Sequence, residues 1–301
     1  DLLDLKQDSI SGASELTEKA LKIIENHLIL IQNPNADITE DIYKLVGEII
    51  NTRPSMAPLI NAMGFLIHDL TIITKKAIKK RLKESKIISS ERKGALERNF
   101  HTFISSRKKD ERNIMLISYS STIIDFLLRN KDINFEIYIL ESRPLLEGRR
   151  TAKILSKYFK VNLIIDAAIG KFTSRIDFVL IGVDSVLRDG SIINKIGTYP
   201  LAVLAKSNKT DVFAICDSHK YNLRSHYGQE VIIEKKPSKE IYDEEGFNNL
   251  EIHNYYFDIT PPDYITSIIS DLGILSTQQF VEKVKENIPI EWFKYFLNNN
   301  C

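Results

Sequence analysis

Through the first hundred residues apolar side chains recur at three- and four-residue spacing. Leu16, Ala20, Leu21 and Ile24 run into Leu28, Ile29 and Ile31, a stripe along one face of a helix. Asn33-Pro34-Asn35 breaks that helix, and Thr39-Glu40-Asp41 has the form of an N-terminal cap leading into Ile42, Leu45, Val46 and Ile49-Ile50. After an interruption at Thr52-Arg53-Pro54-Ser55, a third helix carries Leu59, Ile60, Met63 and Ile67. The basic stretch from Lys75 to Lys83 predicts a fourth, and Ser89-Ser90-Glu91 the start of another that reaches about Ser106. Residues 1–109 show no strand pattern and are expected to form a helical bundle or hairpin array.

Near residue 110 the pattern changes. Short apolar runs appear at Asn113–Ser118, Phe135–Leu140, Val161–Ile165, Ile176–Val183 and Asp211–Ile215, with a further one at Glu230–Ile233. Helical segments separate them: Ile123–Leu128, one through Ala152 and Leu155, and one from Tyr199 to Lys206. Strands alternating with helices predict a parallel sheet covered on both faces. The fold expected is thus α/β, an N-terminal helical domain (1–109) followed by a Rossmann-like parallel-sheet domain (110–301). No Gly-x-Gly-x-x-Gly follows the first strand, which disfavours a nicotinamide dinucleotide fold.

Composition narrows the class. The 301 residues are 43% hydrophobic and 27% charged with a net charge of +1, the balance of a soluble globular protein without a direct nucleic-acid role. No apolar run approaches the ~20 residues needed to span a bilayer, and the first residues lack the basic start and apolar core of a signal peptide. Two cysteines, Cys216 and Cys301, are too few for a zinc or disulfide framework. His68, His101, His219, His226 and His253 show no ligand spacing. A cytoplasmic protein without metal or cofactor and without membrane attachment is expected.

Three strand ends are more polar than a sheet core requires. The turn Ser118-Tyr119-Ser120-Ser121-Thr122 offers hydroxyls and amides either to a phosphate or simply as a helix cap. Glu141-Ser142-Arg143-Pro144 places an arginine after a strand, where it grips phosphate or is solvated. The stretch Gly182-Val183-Asp184 to Gly197-Thr198 crowds Asp184, Asn194 and Lys195 at the C-terminal end of a strand, where open α/β sheets bind ligands. Asp184 is a candidate proton shuttle, and Lys195 is a partner for phosphate or for Asp184 in a purely structural pair. Cys216 is expected to be a buried, inert thiol. The Lys75–Lys83 run is either a solvated face or a surface for an acidic partner, and Phe257–Ile265, with Pro261-Pro262, a rigid loop.

Taken together, Thr52-Arg53-Pro54-Ser55…Asn61-Ala62, Glu141-Ser142-Arg143-Pro144…Glu147-Gly148-Arg149, Gly182-Val183-Asp184-Ser185-Val186…Asp189-Gly190…Asn194-Lys195-Ile196-Gly197-Thr198 and Phe257-Asp258-Ile259-Thr260-Pro261-Pro262 occur in an order that resembles one family. It unites the alpha, beta and delta regulatory subunits of translation initiation factor 2B with ribose-1,5-bisphosphate isomerase and methylthioribose-1-phosphate isomerase. The resemblance implies dimerisation through the Rossmann-like domain. The isomerases use an aspartate, matched here by Asp184, and a cysteine after the first strand. That cysteine position falls at about Tyr119, and no cysteine lies in the turn.

The missing thiol favours an initiation-factor-2B-like regulatory subunit without catalysis. The resemblance then implies binding to the alpha subunit of initiation factor 2, assembly as a homodimer or higher oligomer of family subunits, and a pocket for a phosphorylated sugar or nucleotide. That pocket would be lined by Arg53, Ser120, Ser121, Arg143, Asp184, Asn194 and Lys195. The alternative is an aldose–ketose isomerase of the ribose-1,5-bisphosphate type, with Asp184 as acid–base and Arg53, Arg143 and Lys195 on phosphate.

Overall fold

A computed structural model describes residues 2–8, 12–54, 56–243 and 249–298; Ser55 and Cys301 lie outside this set. Five helices come first: α1 (Leu2–Gln7), α2 (Ala13–Leu30), α3 (Thr39–Thr52), α4 (Ala57–Ile67) and α5 (Lys75–Ser106). The first turn of α3 carries Glu40 and Asp41, which suit the positive end of a helix dipole. In α4 nearly every side chain is buried, so it is the central rod around which α2, α3 and α5 pack.

Helix α5 corrects the expectation of two helices. Its N-terminus is capped by Thr74, whose hydroxyl accepts from the Ala77 amide at 3.1 Å, and it continues unbroken through Ser89-Ser90. Serine inside an exposed helix costs only about 0.5 kcal/mol. Ile78 and Leu82 anchor one end, and Leu96, Phe100, Phe103 and Ile104 the other.

The chain then alternates β1 (Asn113–Leu116), α6 (Ser121–Arg129), β2 (Glu136–Leu140), α7 (Glu147–Leu155), β3 (Lys160–Ile164), the short α8 (Ile169–Phe172), β4 (Phe178–Gly182), a hairpin β5 (Ser185–Val186) and β6 (Ile192–Lys195), α9 (Thr198–Ser207) and β7 (Asp211–Ile215). After α10 (Leu223–His226) come β8 (Phe257–Thr260), β9 (Ser267–Ser270), β10 (Gly273–Leu275), α11 (Thr277–Asn287) and α12 (Lys294–Asn298). The main sheet has the order β10-β9-β7-β4-β1-β2-β3 and is parallel except for β10. A smaller antiparallel sheet joins β5, β6 and β8. Glu230–Ile233, expected as a strand, is not one, and Ile232 is 71% exposed. The place beside β7 is filled by β9 instead.

Side chains alternate across the main sheet with the two-residue period of a strand. Met115, Ile117, Val179 and Ile181 face a core continuous with the N-terminal helices. Ile114, Leu116, Phe178 and Leu180 face a second core closed by α6, α7 and the C-terminal half of α5. Helix α5 therefore belongs both to the bundle and to the cover of the sheet.

Candidate functional site

The chain runs outward through β1, β2 and β3, then returns to the other side of β1 for β4 and continues outward to β7 and β9. The reversal lies between β1 and β4. In open α/β sheets such a reversal sets the ligand crevice at the C-terminal ends of the two strands, between the loops that follow them. They are the 118–122 turn and the segment carrying Asp184. Gly182 lets them close on each other: a side-chain carbon there would stand 3.3 Å from Ser120 Cβ and 3.9 Å from Asn194 Oδ1.

Asp184 opens the β5–β6 hairpin, its amide donating to the Ile193 carbonyl at 2.9 Å. The residue keeps some contact with solvent, but its carboxyl lies deep among protein atoms. Burial pushes that carboxyl above its ordinary range, and the ammonium groups of Lys220 and Lys195 pull it back down. No described residue hydrogen-bonds to the carboxylate. Asn194 is buried and donates through Nδ2 to Thr198 Oγ1 at 3.0 Å, bracing the start of α9.

Lys195 is 3% exposed and does not pair with Asp184. Its Nζ lies 2.5 Å from Glu147 Oε1, at the first residue of α7, and 5.1 Å from the centre of the Tyr256 ring. Gly148 makes this possible: a Cβ there would lie 1.8 Å from the Leu140 carbonyl oxygen, so only glycine lets α7 start this close to β2.

The two serine-containing turns are tied together. Ser142 Oγ accepts from the Ser118 amide at 2.7 Å, and Thr151 donates to the Ser118 carbonyl at 2.9 Å. Asp166 accepts from the amides of Ser142 and Arg143 at 2.8 and 2.7 Å. Arg143 is thereby held with its side chain exposed and, among the described residues, without an ion-pair partner. Ser120 caps α6, its Oγ accepting from the Ile123 amide at 3.3 Å, and Ser121 is exposed. The Tyr119 ring packs against the second core under the Arg150 guanidinium, 4.2 Å from the ring centre.

Arg53 is drawn elsewhere. Its Nε donates to the Leu5 carbonyl at 3.1 Å and its NH2 group to the Asp8 carbonyl, so it fastens α1 and the segment after it to the bundle. The crevice thus gathers Asp184, Asn194 and Ser120, leaves Arg143 free at its edge, and holds Lys195 against Glu147.

Lys220 was not anticipated as a site residue. It ends a short 3₁₀ turn, Ser218–Lys220, after β7. Asp271 accepts from the Ser218 amide and hydroxyl at 2.7 and 2.8 Å, and Asn61 of α4 donates to the carbonyls of His219 and Tyr221, both at 2.8 Å. Asn222 donates from its amide to Val186 at 2.9 Å and from Nδ2 to Ser185 Oγ at 3.2 Å. The helical bundle and the hairpin together fix the turn that brings Lys220 to bear on Asp184. The available signal was its position after a strand adjacent to β4.

Cys216 is buried, and burial together with Asp217 and Asp271 pushes its thiol well up, which suppresses the reactive thiolate. Among the described residues no group of His, Cys, Asp or Glu is arranged to hold a metal ion. None of their helices is long and apolar enough to cross a membrane.

The sequence pattern defining the Initiation factor 2 subunit family matches residues 9–277. The chain belongs to that family. Its relatives carry two kinds of name. The ribose 1,5-bisphosphate isomerase of Methanocaldococcus jannaschii is 29% identical over 283 residues, covering 91% of this chain and 90% of that one. A putative translation initiation factor eIF-2B subunit 2-like protein of Pyrococcus horikoshii is 27% identical over 282 residues, covering 91% and 94%. Among solved structures, the Pyrococcus horikoshii translation initiation factor eIF-2B superposes with a TM-score of 0.77 at 26% identity, over 93% of this chain and 97% of that one. The 5-methylthioribose 1-phosphate isomerase of the same organism shares the fold, with a TM-score of 0.71 at 20% identity over 95% of this chain and 86% of that one. The Initiation factor 2 subunit family thus accounts for the helical bundle joined to a mostly parallel sheet.

Proposed function

We propose that this family member binds a phosphorylated pentose in the β1–β4 crevice and isomerises it from aldose to ketose, with Asp184 as the acid–base. One contrast carries the reading. Asp166, Asp177, Asp258 and Asp271 are each spent on backbone amides that hold loops in place. Asp184, at the same reversal of the sheet, is half-buried, raised in pKa by its surroundings and bonded to no described residue. A carboxyl that is not spent on the fold and is still reached by solvent is available to a ligand. The family relatives named as ribose 1,5-bisphosphate isomerases support the same assignment.

The chemistry balances with one carboxyl group. Protonated Asp184 gives its proton to the ring oxygen of the 1-phosphorylated sugar, and the bond from that oxygen to C1 breaks. The hydrogen on C2 then moves to the electron-poor C1 with its electron pair. The C2 hydroxyl becomes a carbonyl and returns its proton to the Asp184 carboxylate. Lys220, beside that carboxylate, and Arg143, at the edge of the crevice, are the cations available for phosphate. Arg53 and Lys195 are committed elsewhere, to the Leu5 and Asp8 carbonyls and to Glu147.

One observation favours a second reading. The turn after β1 holds no thiol, and its Tyr119 lies under Arg150. A regulatory subunit of the initiation factor 2B kind, binding initiation factor 2 through its alpha subunit without catalysis, fits that turn and the name of the Pyrococcus horikoshii relative. Incubation with ribose 1,5-bisphosphate separates the two. Ketose formation that depends on Asp184 supports the isomerase. Absence of turnover, with capture of initiation factor 2, supports the regulatory subunit.

A further inference from the structure

Far from the crevice, α2 and the N-terminal half of α5 enclose a groove of about 740 Å³. Leu28, Ile29, Pro34 and Leu82 line it. Ile29 is 72% exposed, and the neighbouring Leu30 is 79% exposed. Leu28 and Leu82 close its bottom at 1% and 3% exposed, so Ile29 and the stems of the surrounding lysines are the apolar surface it offers.

The rim of the groove is cationic. Three of its lysines are already engaged: Lys75 donates to the Ile31 carbonyl at 2.5 Å, Lys80 lies 3.7 Å from Glu84, and Lys86 lies 3.1 Å from Glu25. Lys76, Lys79 and Lys83 are exposed and have no ion-pair partner among the described residues. Their spacing of three and four residues places them on one side of α5, in a row about 10 Å long. No arginine or aromatic side chain lines the groove, so it lacks the stacking groups that bind single-stranded nucleic acid.

We propose that this groove docks an acidic amphipathic helix of a partner protein. The helix would set leucine-like side chains on Ile29 and the methylene stems of the lysines, and carboxylates against Lys76, Lys79 and Lys83. Charge complementarity selects the acidic partner, and the open Ile29 between the lysine stems selects an amphipathic helix over a plain polyanion. The inference does not depend on catalysis at Asp184.

The test uses the whole chain and three fluorescein-labelled probes of equal length: a helical peptide with leucine on one face and glutamate elsewhere, a polyglutamate, and a single-stranded RNA. Anisotropy is expected to show saturable binding of the amphipathic peptide that weakens as salt rises. Reversing the lysines (K76E, K79E and K83E together) should weaken it ~10-fold or more, and Ile29→Asp by ~5-fold or more. All four positions are exposed, so the fold should survive, which circular dichroism checks. Polyglutamate or RNA binding as tightly as the amphipathic peptide would overturn the proposal in favour of a polyanion surface. It is equally overturned by absence of peptide binding, or by self-association that the peptide does not compete and the variants abolish.

Discussion

Replacing Glu147 by glutamine tests what holds Lys195 in place. The change keeps the shape of the side chain and removes the charge facing Lys195, whose Nζ lies 2.5 Å from Glu147 Oε1. Lys195 is 3% exposed, so its ammonium cannot turn to water for compensation. Breaking a buried pair by removing one partner costs about 3–5 kcal/mol. Here the Glu147 side chain is 26% exposed, and the Tyr256 ring still faces the ammonium, a contact worth ~0.5–2 kcal/mol. The expected loss is therefore nearer 2–3 kcal/mol (roughly, by the same bookkeeping). In a chain of this size that lowers the melting temperature by about 5 °C. Urea titration at neutral pH measures the loss directly. Replacing both partners by apolar residues, E147L with K195M, should recover most of it, since no charge is then left buried. The freed ammonium should also raise the affinity of E147Q for inorganic phosphate, read by isothermal titration. Unchanged stability together with unchanged phosphate affinity would refute the claim that Glu147 neutralises Lys195.

Other consequences follow from single features. Gly148→Ala should destabilise by about 3 kcal/mol or more in urea titration, because its Cβ would meet the Leu140 carbonyl at 1.8 Å; near-native stability would mean that α7 can shift freely. Asp258 accepts from the amides of Gly197 and Tyr199 at 2.8 and 3.1 Å, yet burial raises its carboxyl to about 6. A carboxyl raised on folding keeps its proton longer in the native state. Its contribution should therefore fall as pH rises from about 4 to about 6, by up to ~3 kcal/mol. Wild type measured against Asp258→Asn should show that decline as a shrinking difference in stability, and a flat difference would contradict it. Lys220→Met removes the cation that most lowers Asp184, so the acid-side ionisation in the pH dependence of turnover should move upward while phosphate affinity falls. A downward move would place Lys220 elsewhere.

Much of the fold was legible because parallel strands buried on both faces read as short apolar runs between helices. The additions were not. The hairpin of β5 and β6, with β8 and β10, is short and antiparallel, β9 is a four-residue strand parallel to β7, and Glu230–Ile233 has the composition of a strand but pairs with none of the named strands. The continuity of α5 was hidden by Ser89-Ser90, which resemble a cap but sit on an exposed face.

In the site, Asp184 stood out because a carboxylate at a strand end is unusual, and the sheet's reversal between β1 and β4 places it at the crevice. The partners were less legible because they come from distant parts of the chain. Glu147 lies 48 residues before Lys195, Arg53 reaches back to Leu5 and Asp8, and Lys220 depends on Asn61 and Asp271. Sequence marks which side chains are unusual, whereas packing decides which charges neutralise one another.

The central claim is that Asp184 is an unspent acid in a sugar-phosphate crevice. Its most direct test is conversion of ribose 1,5-bisphosphate to ribulose 1,5-bisphosphate by wild type and by Asp184→Asn, with sugar-phosphate binding measured alongside. Turnover is expected with wild type and a ~10²–10⁴-fold loss in the variant, with binding retained. Binding without turnover in wild type, or turnover that survives Asp184→Asn, would contradict it.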